Sequence, residues 1–165
     1  MPEPHPRGPD DPSRGPSDDE VGREDAVASA ETMWRGDAAS RMLGMRLVSV
    51  APGSAVVSMR VRPDMVNGWR LCHGGLIAAL ADSAFALACN SRGRVTVAAG
   101  FDVTFLEPGR AGDELVATAT ETALRGRSGL YDVRVDRAAD DVTVAWFRGR
   151  SRAAGRPDPA VGPGG

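Results

Sequence analysis

Hydrophobic and polar positions alternate with different periods along the chain, and each change of period predicts an element. Residues 1–25 carry almost no apolar side chain. From Glu24 to Leu43 the residues Ala26, Val27, Ala30, Met33, Trp34 and Ala38 fall roughly on one face, which predicts a helix ending near Gly44. Met45–Val50 and Ser54–Val61 read as two strands joined by Ala51-Pro52-Gly53, a turn signal for a hairpin. Arg62–Cys72, with Asn67-Gly68 inside it, reads as a loop. Leu71–Asn90 is different: its small and apolar residues go all the way round, with no Pro and no Gly after Gly75. That pattern predicts a helix buried on most sides. It is too short for a membrane span and carries an acid, Asp82, at its centre.

Beyond Gly93 the period becomes two. Val95–Leu106 is rich in Val, Thr and Phe. Asp113–Leu124 sets Leu115, Ala117 and Ala119 against Val116, Thr118 and Thr120. Leu130–Arg137 alternates Tyr131, Val133 and Val135 with Asp132, Arg134 and Asp136. Val142–Arg152 sets Val144 and Trp146 opposite Ala145 and Phe147. Short turns between these strands force antiparallel pairing. One antiparallel sheet wrapped around one long helix is an α+β layout.

Composition narrows the picture. A chain of 165 residues suits one domain with a core, here 26–152. Residues 1–25 hold eight acidic against three basic residues and six prolines, which predicts a disordered acidic tail. Residues 153–165 read as a flexible Gly/Pro-rich tail. The net charge of −2 gives no reason to expect a nucleic-acid partner, and no segment suggests a membrane. No basic-then-apolar leader opens the chain, so a cytoplasmic protein is expected. All 20 basic residues are Arg, which excludes Schiff-base chemistry through a lysine. Two cysteines and two histidines make neither a disulfide framework nor a zinc set, so no metal and no separate cofactor are expected.

The chemistry concentrates on the buried helix. A carboxylate at its centre is costly unless paired or used. Gly74-Gly75 supply bare N–H groups at the positive end of the helix dipole, a cradle for an oxyanion. Gly74 and Asp82 are eight residues apart, about 12 Å along the axis, further than an Asp side chain spans. If both act on one carbonyl carbon they come from two copies of the helix, in a two-fold dimer with sites at its interface. In the alternative, Asp82 hydrogen-bonds a neighbouring loop and the glycines only make a tight helix start.

The block Asn67-Gly68, His73-Gly74-Gly75, Ala81-Asp82-Ser83-Ala84-Phe85-Ala86 and Ala88–Gly93 resembles the PaaI-type acyl-CoA thioesterases of phenylacetate degradation, which have the hotdog fold. Agreement continues through Phe105-Leu106, Pro108-Gly109, Ala111-Gly112-Asp113, Gly129, Tyr131-Asp132 and Phe147-Arg148-Gly149, over about residues 38–152. The resemblance implies a sheet wrapped round the central helix and assembly into dimers, commonly tetramers. It implies that Asp82 is nucleophile or general base on water, and that the Gly74 N–H of the partner subunit polarises the thioester carbonyl. Asn67 would orient the water or the carboxylate, His73 would hold the loop or touch the thioester side, and Gly75 and Ser83 would lie beside the substrate. The substrate would be an aryl- or arylacetyl-CoA, such as hydroxyphenylacetyl-CoA, so coenzyme A arrives as part of the substrate. Where some relatives carry a hydroxyl residue after the helix, this chain has Ala98, Ala99 and Gly100. Water placement then falls to Asn67 and Asp82, with Ser83 or Thr104 as hydroxyl candidates.

Other side chains complete the list. Cys72 beside His73 suggests a thiol nucleophile, and His73 a general base; against the first, adjacent side chains diverge. Arg148, Arg150 and Arg152 share one face of a strand and suit the CoA phosphates, with Arg125 and Arg127 as a second set. An acyl-thioester dehydratase or hydratase and a non-catalytic acyl-CoA sensor are the rival functions.

Overall fold

The computed structural model describes residues 18–154. The order is α1 (Asp18–Gly36), α2 (Ala38–Met42), β1 (Met45–Ala51), β2 (Ser54–Arg60), a 3-10 turn (Pro63–Met65), α3 (Gly74–Asn90), β3 (Thr96–Phe105), β4 (Glu114–Arg125), β5 (Ser128–Arg137) and β6 (Val142–Ala153). Six strands form one antiparallel sheet in the order β1-β2-β4-β5-β6-β3, with α3 packed across its inner face. The α+β layout expected from the hydrophobic pattern is the observed one.

The predicted first helix is two helices. It begins at Asp18, inside the segment read as a tail, and breaks at Asp37. The Asp37 carboxylate accepts the Ser40 N–H at 2.9 Å and the Ser40 hydroxyl at 2.6 Å, capping α2. After this break Ser40 is buried and Ala38 is exposed, so the single apolar face does not continue. The rest of the acidic segment, residues 1–17, and residues 155–165 of the C-terminal tail lie outside the described residues.

Helix α3 buries Leu80, Ala81, Ala84, Phe85, Leu87 and Ala88 against Val57, Met59, Leu115, Ala117 and Val133 from the sheet. Phe85 sits in an aromatic nest, edge-on to Tyr131 at 5.4 Å and tilted to Phe147 at 5.8 Å. Gly149 on β6 makes this close approach possible: a Cβ there would lie 2.7 Å from two ring atoms of Phe85. The C-terminal end of α3 is tied down twice. The Gly53 N–H donates to the Ser91 hydroxyl at 2.8 Å, and the Asn90 amide donates to the Thr96 carbonyl while its oxygen accepts the Thr96 N–H, each at 2.9 Å.

Two features depart from simple alternation. On β6 both Val144 and Ala145 are fully buried, because a bulge opposite Val135 and Asp136 adds one residue to the strand. The carbonyl of Val144 turns out of the ladder and accepts the N–H groups of Leu106 and Glu107, fixing the chain just past β3. Strand β3 does not join its successor β4 but pairs with β6, leaving its other side as a sheet edge. Phe101 and Phe105 stand opposite Gly149 and Ala145 on the helix-side face, yet they are 42% and 49% exposed.

Candidate active site

The loop before α3 is closed on itself. The side-chain oxygen of Asn67 accepts the N–H groups of Trp69 and Leu71 at 2.9 and 3.2 Å, an Asx turn that leaves the Asn67 NH₂ unused by the loop. A bridge between Val66 and Cys72 and the His73 N–H to the Met65 carbonyl finish the closure. The chain then enters α3 with His73 extended as its N-cap.

A helix start leaves four N–H groups without intrahelical acceptors. His73 takes three of the four in α3. Its ring Nδ1 accepts the Gly75 N–H at 3.1 Å, and its carbonyl accepts those of Leu76 and Ile77. The Gly74 N–H is the one left without an acceptor among the described residues. Gly74 lines a cleft of about 350 Å³ together with Asn67, Leu71, Ile77, Phe105 and Pro108. The Phe105 ring rests on Gly74 so closely that a Cβ there would lie 3.0 Å from it. Sequence reasoning did not single out Phe105, Leu71 or Ile77 as lining residues. The i, i+4 spacing of Phe101 and Phe105 on one strand face was the available signal.

Asp82 lies in the middle of α3, half-buried, on the strip of the helix that the sheet does not cover. It makes no hydrogen bond or ion pair among the described residues, and burial holds its carboxyl above the ordinary value of 3.8. It does not line the Gly74 cleft of its own protomer, in keeping with the separation along the helix.

The remaining sequence candidates are placed as follows. The Ser83 hydroxyl is 2.8 Å from that of Ser40, which ties α3 to α2. Thr104 is exposed on β3. Cys72 lines the cleft, but burial and then the Asp113 charge push its thiol up to about 11, so no thiolate forms near neutral pH. Cys89 is core, pushed up to about 12 mainly by burial. Arg148, Arg150 and Arg152 do share a face, the one turned away from α3, since they alternate with the buried Phe147, Gly149 and Ser151. Arg148 forks onto Asp132 at 2.6 and 2.8 Å, Arg150 meets Asp102, and Arg152 donates to the Ser128 hydroxyl. Arg150 and Arg152 line a cleft of about 360 Å³ together with Arg125. Among the described residues no group of three or more His, Cys, Asp or Glu could hold a metal ion, and no helix is long and apolar enough to cross a membrane.

Comparison with known proteins places this geometry. A family described as the thioesterase superfamily matches residues 70–144. The acyl-coenzyme A thioesterase PaaI of Escherichia coli K12 is 43% identical over 130 residues, 79% of this chain and 92% of that protein. The chain belongs to the PaaI-type acyl-CoA thioesterases. The solved structure of E. coli PaaI superposes with a TM-score of 0.79 at 42% identity, over 81% of this chain and 96% of that one. A mutant of the phenylacetic acid degradation protein PaaI from Thermus thermophilus gives 0.68 at 38% identity, over 72% and 100%. The protein is thus a hotdog-fold thioester hydrolase of PaaI type, as its motifs led one to expect.

Proposed function

We propose that the protein hydrolyses an aryl- or arylacetyl-CoA, such as hydroxyphenylacetyl-CoA, at sites built from two protomers. One protomer supplies the Gly74 N–H and Asn67 at the start of α3, and the other supplies Asp82 from the middle of its own α3. The observation that carries this reading is the single unclaimed amide at the helix start: His73 consumes the next three and leaves Gly74 alone to meet an oxyanion. The thioester carbonyl oxygen accepts that N–H, and the helix dipole stabilises the charge that develops on it. Asp82 attacks the carbonyl carbon or takes a proton from the attacking water; the C–S bond then breaks and CoA leaves as the thiol. The Asn67 NH₂, free of its loop, orients the water or the facing carboxylate. The reaction needs no group beyond these and water.

The separation of Asp82 from the cleft of its own protomer supports the two-protomer site. So does the free edge of β3, whose Phe101 and Phe105 are half-exposed on the helix side. An isologous dimer, and a tetramer built from two of them, is the assembly this favours. Arg150 and Arg152 with Arg125 are the better phosphate candidates, because Arg148 is held by a two-point pair with Asp132. A dehydratase reading fits less well: the Nδ1 of His73 is spent on Gly75, and Asp82 lies two turns further along.

The test is CoA release from phenylacetyl-, hydroxyphenylacetyl-, benzoyl- and straight-chain acyl-CoAs by wild type and Asp82→Asn. Loss of the carboxylate lowers turnover about 10²–10⁴-fold with fold and assembly unchanged. Undiminished turnover in a folded variant overturns the assignment.

A further inference from the structure

A small cavity of about 30 Å³ lies where the C-terminal end of α3 meets the β4–β5 hairpin and the last residues of β6. Cys89, Tyr131 and Ser151 form its buried floor, and Arg92, Arg94 and Arg127 border it from the exposed side. Ser151 is 3% exposed, and its hydroxyl is the one buried side-chain oxygen or nitrogen without a hydrogen-bond partner among the described residues. Buried hydroxyls in native proteins have a partner as a rule. Gly129, opposite Ser151 on β5, keeps the space beside that hydroxyl clear: a Cβ there would lie 2.6 Å from the Oγ.

The bonding capacity left unspent around the cavity is on donors. The Cys89 thiol donates to the Ala86 carbonyl at 3.4 Å, the Tyr131 hydroxyl to Glu121 at 3.0 Å, and the Thr96 hydroxyl to the Arg94 carbonyl at 3.0 Å. No carboxylate lines the cavity. Glu121 beside it is already committed, since it also takes the Arg92 fork at 2.9 and 3.0 Å. Arg127 donates through Nε to the Ala153 carbonyl at 3.0 Å, and its two terminal nitrogens have no partner among the described residues. The Arg94 guanidinium has none there either. Arg92 and Arg94 follow the last turn of α3, where the helix dipole favours cations. That accounts neither for Arg127, on a separate hairpin, nor for the buried hydroxyl. Two unpaired guanidinium groups and a hydroxyl around one space select an anion.

The volume limits its size. About 30 Å³ holds one particle as large as a water molecule, and not a tetrahedral oxyanion such as phosphate or sulfate. We infer that the cavity binds a single halide ion, chloride or bromide, with the Ser151 hydroxyl and the Arg94 and Arg127 side chains as its donors. The ion links three segments distant along the chain: the turn after α3, the β4–β5 hairpin and the end of β6. It thereby fastens the C-terminal end of the helix to the sheet, at the opposite end of α3 from Gly74.

The experiment follows thermal unfolding of the full chain from about 5 to about 200 mM chloride, with gluconate, which is too large for the cavity, making up a constant ionic strength. Protomer concentration is held fixed. Wild type shows a saturable rise in Tm of about 2–4 °C, as expected for a dissociation constant on the order of 20 mM. The rise is at least halved in Ser151→Ala, which removes only the hydroxyl, and in Arg94→Gln, which removes only a charge. Crystals soaked in bromide show an anomalous-scattering peak within hydrogen-bond distance of the Ser151 Oγ. A wild-type Tm indifferent to chloride overturns the inference and leaves water as the partner of the hydroxyl. A rise that exceeds half the wild-type one in either variant overturns it too, because the effect then lies elsewhere on the protein. A bromide peak without the solution effect is an adventitious ion only and counts against the site, as does the effect without the peak.

Discussion

Replacing Gly149 by Ala tests how tightly the sheet holds α3. The new methyl group would sit 2.7 Å from two ring carbons of Phe85 and 2.9 Å from a third. Phe85 is 1% exposed and is hemmed in by Tyr131 and Phe147, so its ring has nowhere to swing. Either α3 lifts from β6 or the strand bows outward. Overpacking of this kind costs about 1–3 kcal/mol. Reduced freedom of the unfolded chain returns about 0.4–1 kcal/mol of it. The net loss of about 1–2 kcal/mol lowers Tm by about 2–8 °C in a protein of this size. The assay is thermal unfolding by circular dichroism at fixed protomer concentration, because the Tm of an oligomer depends on concentration. Turnover falls beyond the loss of folded protein, because Phe85 follows Asp82 by less than one turn and a displaced helix misplaces the acid. A wild-type melting temperature in Gly149→Ala would refute the contact. The cycle with Phe85→Leu is sharper still: with the ring removed, the added methyl costs little, and an equal cost in both backgrounds shows that Phe85 is not what it meets.

Other expectations concern the site itself. Because burial holds the Asp82 carboxyl above 3.8, the ionised form that the proposed mechanism uses is lost on acidification at a pH higher than an exposed Asp would give. The acid limb of kcat/KM against pH therefore reports an apparent pKa above that value, and a limb at or below it refutes the buried setting. The same shift has a sign for stability. A carboxyl whose pKa is raised by folding favours the folded state in acid, and that contribution is lost as pH rises through the raised pKa. Asp82→Asn, neutral throughout, therefore melts at or above the wild-type temperature at pH 7; a clear drop in Tm shows that the carboxylate has a stabilising partner. Cys72→Ala retains wild-type-like turnover, since a thiol pushed up to about 11 supplies no nucleophile; loss of activity in the folded variant would restore the thiol as a candidate.

The elements whose burial follows from local period were legible in the sequence. Helix α3 is apolar nearly all round, and the sheet buries Leu80, Ala81, Ala84, Phe85, Leu87 and Ala88 while a strip that includes Asp82 stays half-buried. Leu115, Ala117 and Ala119 alternate, and they are the fully buried residues of β4. What was not legible depends on contacts distant along the chain. Nothing between Val95 and Leu106 says that this strand pairs with β6 and forms an edge, because turn length limits only the pairing of neighbours. The bulge at Val144 cannot be seen from β6 alone; it exists through the register against β5. Asp37 breaks the first helix because its side chain competes for the N–H and hydroxyl of Ser40, a local rule that the run of apolar residues around it obscured. At the site, the residue types of the motif pointed to Gly74 and Gly75 together. The resemblance singled out Gly74, and the conformation of His73 gives the physical reason: the ring that caps Gly75 leaves Gly74 without an acceptor among the described residues.

The two margins of the sheet are built unequally, and this bears on how copies of the chain can meet. Strand β1 is short and has α1 packed against it, both of which spoil it as a template for a further strand. Strand β3 is longer and presents Val97, Phe101 and Phe105 to solvent. A ladder that can grow at one margin only, and grows by meeting its own image, stops at two. The asymmetry thus acts as a terminator: it favours a finite assembly over a fibre, even though every protomer carries a sticky border.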